Sequence, residues 1–387
     1  MNRTTVIILA IVAIVAIAAV AAYVMTNNGG GDDPKPTTGI DIVDGSGASI
    51  HLDGPLESCY VVNTHIPTAM KILGLQDKVD EIMFYKSSKY DYFHDAGFDN
   101  ITKDTPLYST LTNAEYFQSH GVKYIIEPIN SSPLSTSVEN ACRNANITII
   151  KLDCYGDTMI EDMEKLVKIF GSTKEVKAAF DEYLDVRNDV VNAVLSKAKP
   201  TDDNLFLCCF MGIQAFYNKT AEVSRTIESV YGKNALTEIG ASTNSATNKA
   251  SEDGLYERLV ELDAKKSINL LILRASGDDQ ADTLLAKWNK NAVNKYKLSY
   301  IDGTDSNVFV IDSDLLSGPM DYIAYVSLGE IIGIDTGYSV KDLAKQYESK
   351  YGFPKKTETY TWNVQFDADG NATAVVDAGI DTRNSAN

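Results

Sequence analysis

Residues 172–200 read STKEVKAAFDEYLDVRNDVVNAVLSKAKP, and the fold turns on this stretch. Ser172-Thr173-Lys174-Glu175 has the form of a capping box, and Pro200 stops what it starts. Between them Val176, Phe180, Tyr183, Leu184, Val190, Val191, Val194 and Leu195 recur with a period near 3.6, the mark of a single amphipathic helix. About 26 residues at 1.5 Å each make a rod of roughly 39 Å, longer than a crossover inside one lobe requires. A rod of that length connects two bodies rigidly.

Both sides of the rod read as strands alternating with helices. Before it, Ile40–Val43 and Ala48–Leu52 flank Asp44-Gly45-Ser46-Gly47, a hairpin signal. Strands are then expected at Cys59–Asn63, Val79–Phe84, Tyr124–Glu127 and Ile147–Leu152. The helices between them are expected near Pro67–Leu73, Ala114–His120 and Ser137–Ala145. After the rod come strands at Leu205–Phe210, Asn269–Leu273 and Val308–Ile311. Helices are expected at Ala221–Tyr231, Tyr256–Leu262, Asp282–Trp288, Tyr322–Ile331 and Val340–Tyr351. Such alternation argues for parallel sheets covered by helices. In the tail, Tyr360, Trp362, Val364 and Phe366 alternate with polar residues, and Asp369-Gly370 turns into Ala372–Val376, a final hairpin. The halves also echo each other. Glu115 opens a helix that leads to the strand at Tyr124, and Glu257 opens a similar helix before Leu270–Leu273.

At the other end, Val6–Val24 is free of charge and long enough, at about 28 Å, to cross a bilayer. Arg3 precedes it while Asp32 and Asp33 follow, so the remainder is expected outside the cytoplasm. A cleaved signal peptide ending near Ala19-Val20-Ala21 competes with a retained anchor, and the length of the apolar run favours the anchor. Residues 27–39, with glycines and two prolines, read as a linker. The expected organisation is therefore 1–26 anchor or signal, 27–39 linker, 40–171 first α/β lobe, 172–199 backbone helix, 200–354 second α/β lobe and 355–387 a C-terminal β extension.

The 387 residues carry 35 basic and 53 acidic side chains, a formal charge of −18, which disfavours nucleic acid as a partner. Five cysteines show no metal-binding spacing; a Cys142–Cys154 bridge is conceivable, and Cys208-Cys209 read as small buried hydrophobes. Sequons at Asn100, Asn130, Asn146, Asn218 and Asn371 are compatible with an exported protein. GxSxG, GxxxxGK[ST], HExxH and GxGxxG are all absent from the sequence, and nothing in it asks for catalysis or a cofactor.

In the order of these parts the chain resembles the substrate-binding proteins of ABC importers with a rigid helical backbone, the class that takes iron–siderophore, haem and cobalamin ligands. The resemblance covers Ile40 to Tyr351. It rests on the Cys59–Leu73 strand and helix, the Glu-led helix before Tyr124–Glu127, the 172–199 helix, Asp253–Leu273, and the closing run from Trp288 through Ala292-Val293 to Val308–Asp312-Ser313-Asp314. It implies two α/β lobes on one stiff helix, an ABC permease as partner, and docking on that permease through Glu115 and Glu257. The usual Pro-Asp before the strand is replaced by Val122-Lys123 and by Ala264–Ile268, and the C-terminal hairpin is additional.

In open α/β lobes ligands sit beyond the carboxyl ends of strands. That places candidate contacts at His65, Lys86 and Tyr90 in the first lobe, and at Met211, Gln214, Phe216, Tyr217 and Arg274 in the second. Rings beside amides and fixed positive charge suit a bulky, partly apolar, anionic metal chelate. The chain is thus expected to be a membrane-tethered receptor that binds and releases without breaking a bond. A receptor for a free divalent ion, using His65 and His94, ranks below this with only four histidines present. The remaining alternative is a surface adhesion or envelope protein on the same scaffold.

Overall fold

The computed structural model describes residues 39–129, 133–210, 215–249, 254–275, 298–302, 305–316, 318–354, 359–369 and 371–378. The apolar segment 6–24, the helix expected at 282–288, and Met211 and Gln214 lie outside the described residues. Among the described residues no helix is long and apolar enough to cross a membrane.

A short antiparallel hairpin, β1 (Ile40–Val43) and β2 (Ser49–Leu52), opens the body. The first lobe follows as β3 (Cys59–Val62), α1 (His65–Ile72), β4 (Val79–Met83), α2 (Tyr90–Asp95), α3 (Glu115–Ser119), β5 (Tyr124–Glu127), α4 (Thr136–Asn144), β6 (Thr148–Lys151) and α5 (Met159–Ile169). Its four strands are all parallel in the order β4-β3-β5-β6. All four residues of β3 are buried, as a parallel strand covered on both faces requires.

Next comes the spine, α6 (Lys174–Leu195), unbroken over 22 residues, or about 33 Å. The Thr173 hydroxyl accepts from the Val176 N–H at 3.3 Å and caps its start. Val176, Phe180, Tyr183, Val190, Val191 and Val194 form the buried stripe. The helix ends short of residue 199 because the stripe runs out: Leu195 already faces solvent.

The second lobe comprises β7 (Thr201–Phe210), β8 (Ala215–Tyr217), α7 (Glu222–Val230), β9 (Gly232–Asn234), α8 (Ala235–Glu238), β10 (Thr247–Lys249), α9 (Leu255–Lys265), β11 (Ile268–Ala275), β12 (Ile301–Asp302), β13 (Asp305–Ser306), β14 (Val308–Asp312), α10 (Asp321–Ile331), α11 (Val340–Tyr351), β15 (Thr361–Phe366) and β16 (Ala372–Asp377). Strands β9, β7, β11 and β14 run parallel in that order, which repeats the winding of the first lobe. The tail hairpin is no separate module: β15 pairs antiparallel with β14 and carries the sheet on to β16.

Three sequence expectations change. Helices α2 and α5 were not anticipated, although Met159, Met163, Leu166, Val167 and Ile169 have helical spacing and are buried. All five cysteines are free and buried, so Cys142 and Cys154 form no bridge. Asn218 is no glycan acceptor in the folded chain. Its amide is buried and donates to Ser242 O, Ser245 O and Asn248 Oδ1.

One hydrophobic core runs from α1 and α5 through the spine to α10 and α11. The spine is also fixed by polar contacts. The Arg187 guanidinium is paired twice with Asp321 at the start of α10 (Nε–Oδ1 2.9 Å, Nη2–Oδ2 2.5 Å), and the Tyr183 hydroxyl donates to Pro319 O at 2.9 Å. Both members of the ion pair are largely withdrawn from water, so removing one strands the other. Arg187→Met is expected to cost about 2–3 kcal/mol in urea unfolding, with Asp321→Leu in the same chain recovering part of it. A single-variant loss below about 0.5 kcal/mol would mean that the pair behaves as a surface contact.

Candidate functional site

The two lobes face each other across the carboxyl ends of their parallel strands, and a cavity of about 450 Å³ lies there. From the first lobe Asn63, Thr64, His65, Thr68, Tyr85, Ser88, Lys89, Tyr92, Phe93 and Tyr108 line it. Phe210, Arg274, Ser313, Asp314, Gly318, Pro319, Met320 and Tyr347 line it from the other half.

Local chemistry explains how the first-lobe set arrives. Asn63 follows β3 in left-handed backbone (φ 83°), which asparagine tolerates, and its Oδ1 accepts from the Thr64 N–H. The turn brings His65 to the first position of α1, directly beyond the strand end. Pro67 follows within the first turn, where a missing N–H costs nothing. Across the cavity, Phe210 and Arg274 sit side by side on neighbouring strands β7 and β11. The segment after β14 forms the floor, held by Ser313 N–H to Ala275 O (2.5 Å) and Asp314 N–H to Asp312 Oδ1 (2.8 Å). A β-carbon at Gly318 would stand 2.9 Å from His65 Nδ1, so only glycine lets the floor come this close to the histidine.

Electrostatics divide the site into a neutral and a charged part. Burial, with Arg274 adding to it against Asp314, pushes the His65 imidazole down to about 4, so the ring is neutral at physiological pH. It lies 5.1 Å from the Tyr155 ring. Burial opposes the charge on Arg274, but the Tyr217 and Tyr155 hydroxyls that accept from its guanidinium outweigh it, and its pKa is raised. Tyr155 also donates to Glu222 of α7, and Arg225 of the same helix pairs with Asp157, so this corner ties the lobes together. At the mouth, Tyr85 (42% exposed) and Phe210 (48% exposed) present rings from opposite lobes.

Of the residues expected from sequence, His65 and Arg274 meet in the cavity, and Tyr217 braces Arg274 from behind. Lys86 is exposed, with Nζ 5.2 Å above the Tyr85 ring outside the lining, while its neighbour Lys89 does line the cavity. Tyr90 is turned away: its hydroxyl donates to Ile101 O at 3.2 Å and its ring stacks on His94. Phe216 requires correction. It is 0% exposed in the core of the second lobe, because β8 is a strand and alternate residues take opposite faces. His94 is exposed beside Asp95 and does not join His65. Among the described residues no cluster of three or more His, Cys, Asp or Glu is placed to hold a metal ion. Glu115 and Glu257 are exposed in the first turns of α3 and α9.

The loops after strands point to much of this site, but not to Tyr155 or Tyr347. Tyr347 lies on a helix distant in sequence from any cleft loop, and only its place in the run Tyr347, Tyr351, Phe353 signals an aromatic cluster.

No protein-family model matches the chain, and no curated protein matches it. Solved structures do. A TroA-like periplasmic binding protein, FepB, from Veillonella parvula superposes with a TM-score of 0.60 at 12% identity, over 83% of this chain and 99% of the other. A protein of an ABC-type Fe³⁺-hydroxamate transport system from Saccharomonospora viridis gives 0.55 at 14% identity, over 76% of this chain and 99% of that one. Helicobacter pylori CeuE with Ni(II) bound gives 0.53 at 12%, over 82% and 97%. Identities this low speak for the fold alone: the chain has the two-lobed architecture of periplasmic binding proteins of this kind.

The neutral state of His65 has a consequence for stability. Between pH 6.5, where the unfolded imidazole titrates, and about 4, the unfolded chain binds a proton that the folded site refuses. Stability therefore falls as pH is lowered through that window. In urea unfolding compared at about pH 7 and about pH 4, the wild type is expected to lose on the order of 2–3 kcal/mol more than His65→Asn. Equal losses would show that His65 is freely solvated.

Proposed function

We propose that the chain is an extracytoplasmic substrate-binding protein of an ABC importer, holding a metal chelate in the interlobe cavity and delivering it to a permease. The observation that carries the reading is the cavity between two like-wound lobes, at the strand ends where α/β folds bind ligands. Its size falls within the range of small-molecule sites. Aromatic rings from both lobes, two cations (Lys89 and Arg274) and a neutral imidazole suit a large chelate with apolar flanks and anionic oxygens. One fold neighbour belongs to an ABC-type Fe³⁺-hydroxamate transport system, which agrees in kind. A bare ion is less well served, since His94 turns away from His65.

In this reading no bond is broken and no resident cofactor is needed. The segment 6–24 tethers the protein to the membrane through the linker, which keeps it concentrated at the permease. Glu115 and Glu257, one on each lobe, are the docking points for basic pockets on that permease. Lobe closure on binding is small, because the spine, α10 and α11 share one core with the first lobe.

Titration of the full chain with a ferric trihydroxamate, haem and cobalamin, read by intrinsic fluorescence, tests the first half of the proposal. Saturable binding of at least one is expected, and a folded protein silent to all three would favour a surface protein without a ligand. Charge reversal (Glu115→Lys with Glu257→Lys) is expected to leave that affinity unchanged while abolishing uptake in cells. A loss of affinity instead would move both residues from docking to the ligand site.

A further inference from the structure

Tyr347 stands apart from the other buried tyrosines. It lies on α11, its side chain is 2% exposed, and it contributes to the cavity wall. Its ring is clamped against Phe353 (centroids 5.5 Å apart, planes 6° apart) and meets Tyr351 edge-on at 5.0 Å. Phe353 in turn stacks on Tyr92 of α2 (5.9 Å, 12°), so a three-ring column joins α11 to the first lobe beside the cavity. The ring therefore has a fixed place. Its hydroxyl does not have a partner: no group among the described residues is within hydrogen-bond reach. The neighbouring buried hydroxyls are served, Tyr183 by Pro319 O and Tyr360 by Glu348.

A buried hydroxyl without a partner is a cost to the folded state, and phenylalanine would fill the same place in the column without it. The fold alone gives no reason for the oxygen. Tyr347 is, however, one of the residues that line the site that would hold the ligand. We propose that the Tyr347 hydroxyl is a ligand-binding donor, reading an acceptor oxygen on the part of the chelate that reaches α11, and that it determines specificity for oxygen-rich chelates; this rests on the chelate reading above. Burial holds the phenol well above its ordinary pKa, so it stays protonated and acts as a donor at any physiological pH. Tyr92 and Met320, which also line the cavity, supply apolar flanks, so the group received combines an apolar body with an oxygen acceptor.

The test compares the full-length wild type with Tyr347→Phe, and with Tyr351→Phe as a neighbour on the same helix. A hydroxyl that serves only the ligand gives a distinctive pattern in Tyr347→Phe. The unliganded midpoint of thermal unfolding is unchanged or higher, while affinity for whichever of ferric trihydroxamate, haem or cobalamin the wild type binds falls about tenfold, the worth of one hydrogen bond. Tyr351→Phe leaves that affinity within about twofold. A Tyr347→Phe chain that binds the same probe as tightly as the wild type overturns the proposal. So does one whose unliganded midpoint drops by several degrees, since the hydroxyl would then be satisfied within the fold. If the wild type itself binds none of the three probes, the chelate reading fails and this proposal falls with it. That outcome is seen in the wild type alone, before any variant is compared.

Discussion

The rest of the structure depends on how one face of the spine grips what lies beyond it. Tyr183 and Arg187 are one turn apart on α6, and they hold Pro319 and Asp321 at the two ends of the turn that leads from the cavity floor into α10. The same stripe, through Val176 and Phe180, is buried in the core that contains α1 and α5. One helix thus fixes the first lobe and the floor on which the second meets it. A hinge motion large enough to open the cavity widely would have to part this core. Each large side chain returned to water costs roughly 1.5–3 kcal/mol, so exposing even a few would consume what most ligands return. The site is built nearly in its working shape.

The repeated winding explains why the cavity lies where it does. In each lobe the first strand, β3 or β7, is central, with the second on one side and the third and fourth on the other. The chain therefore leaves the first and third strands in opposite directions, and a crevice opens at their carboxyl ends. Glu127 ends the third strand of the first lobe and Arg274 is the last but one residue of its counterpart, yet they do different work. Arg274 reaches the cavity between Tyr155 and Tyr217. Glu127 is fully buried, accepts the Leu134 N–H at 2.8 Å, and lies near Lys151 and Glu139. Its carboxyl is pushed up to about 7 by that burial. Equivalent positions are thus divided between a cavity wall in one lobe and an internal brace in the other.

How far the sequence spoke for itself follows from the kind of signal each part leaves. The spine and the parallel strands are legible because burial imposes a period or an unbroken apolar run, and both survive in one dimension. His65 and Arg274 are legible because strand ends are where such folds bind. Phe216 was misread because Ala215–Tyr217 is only three residues long, too short for alternation to declare itself, and its neighbour Tyr217 does face Arg274. Tyr347 was invisible for a deeper reason. Val340, Leu343, Ala344 and Tyr347 form an ordinary buried helical stripe, and nothing local distinguishes a tyrosine placed for its ring from one placed for its oxygen. That distinction exists only once the fold shows which hydroxyl has a partner.

The formal charge of −18 looks at first like an obstacle to an anionic ligand, and the geometry removes it. At physiological salt charges are screened over about 8 Å, so the acidic outer surface acts weakly at the bottom of a cavity. What the proposed ligand would meet there is local: Arg274 and Lys89 as cations, Asp314 as the opposing anion, and a His65 that burial keeps uncharged. Arg274 is moreover pre-placed. Two tyrosine hydroxyls hold its guanidinium, so little side-chain entropy remains to be lost when an oxygen of the ligand replaces solvent beside it. The outer charge would have a separate use in the proposed docking, since it would favour approach to a basic partner, and the two acidic residues leading α3 and α9 lie exposed on different lobes. A negative exterior and a locally positive cavity are therefore compatible within the proposed function, in which the first would face a protein and the second a small molecule.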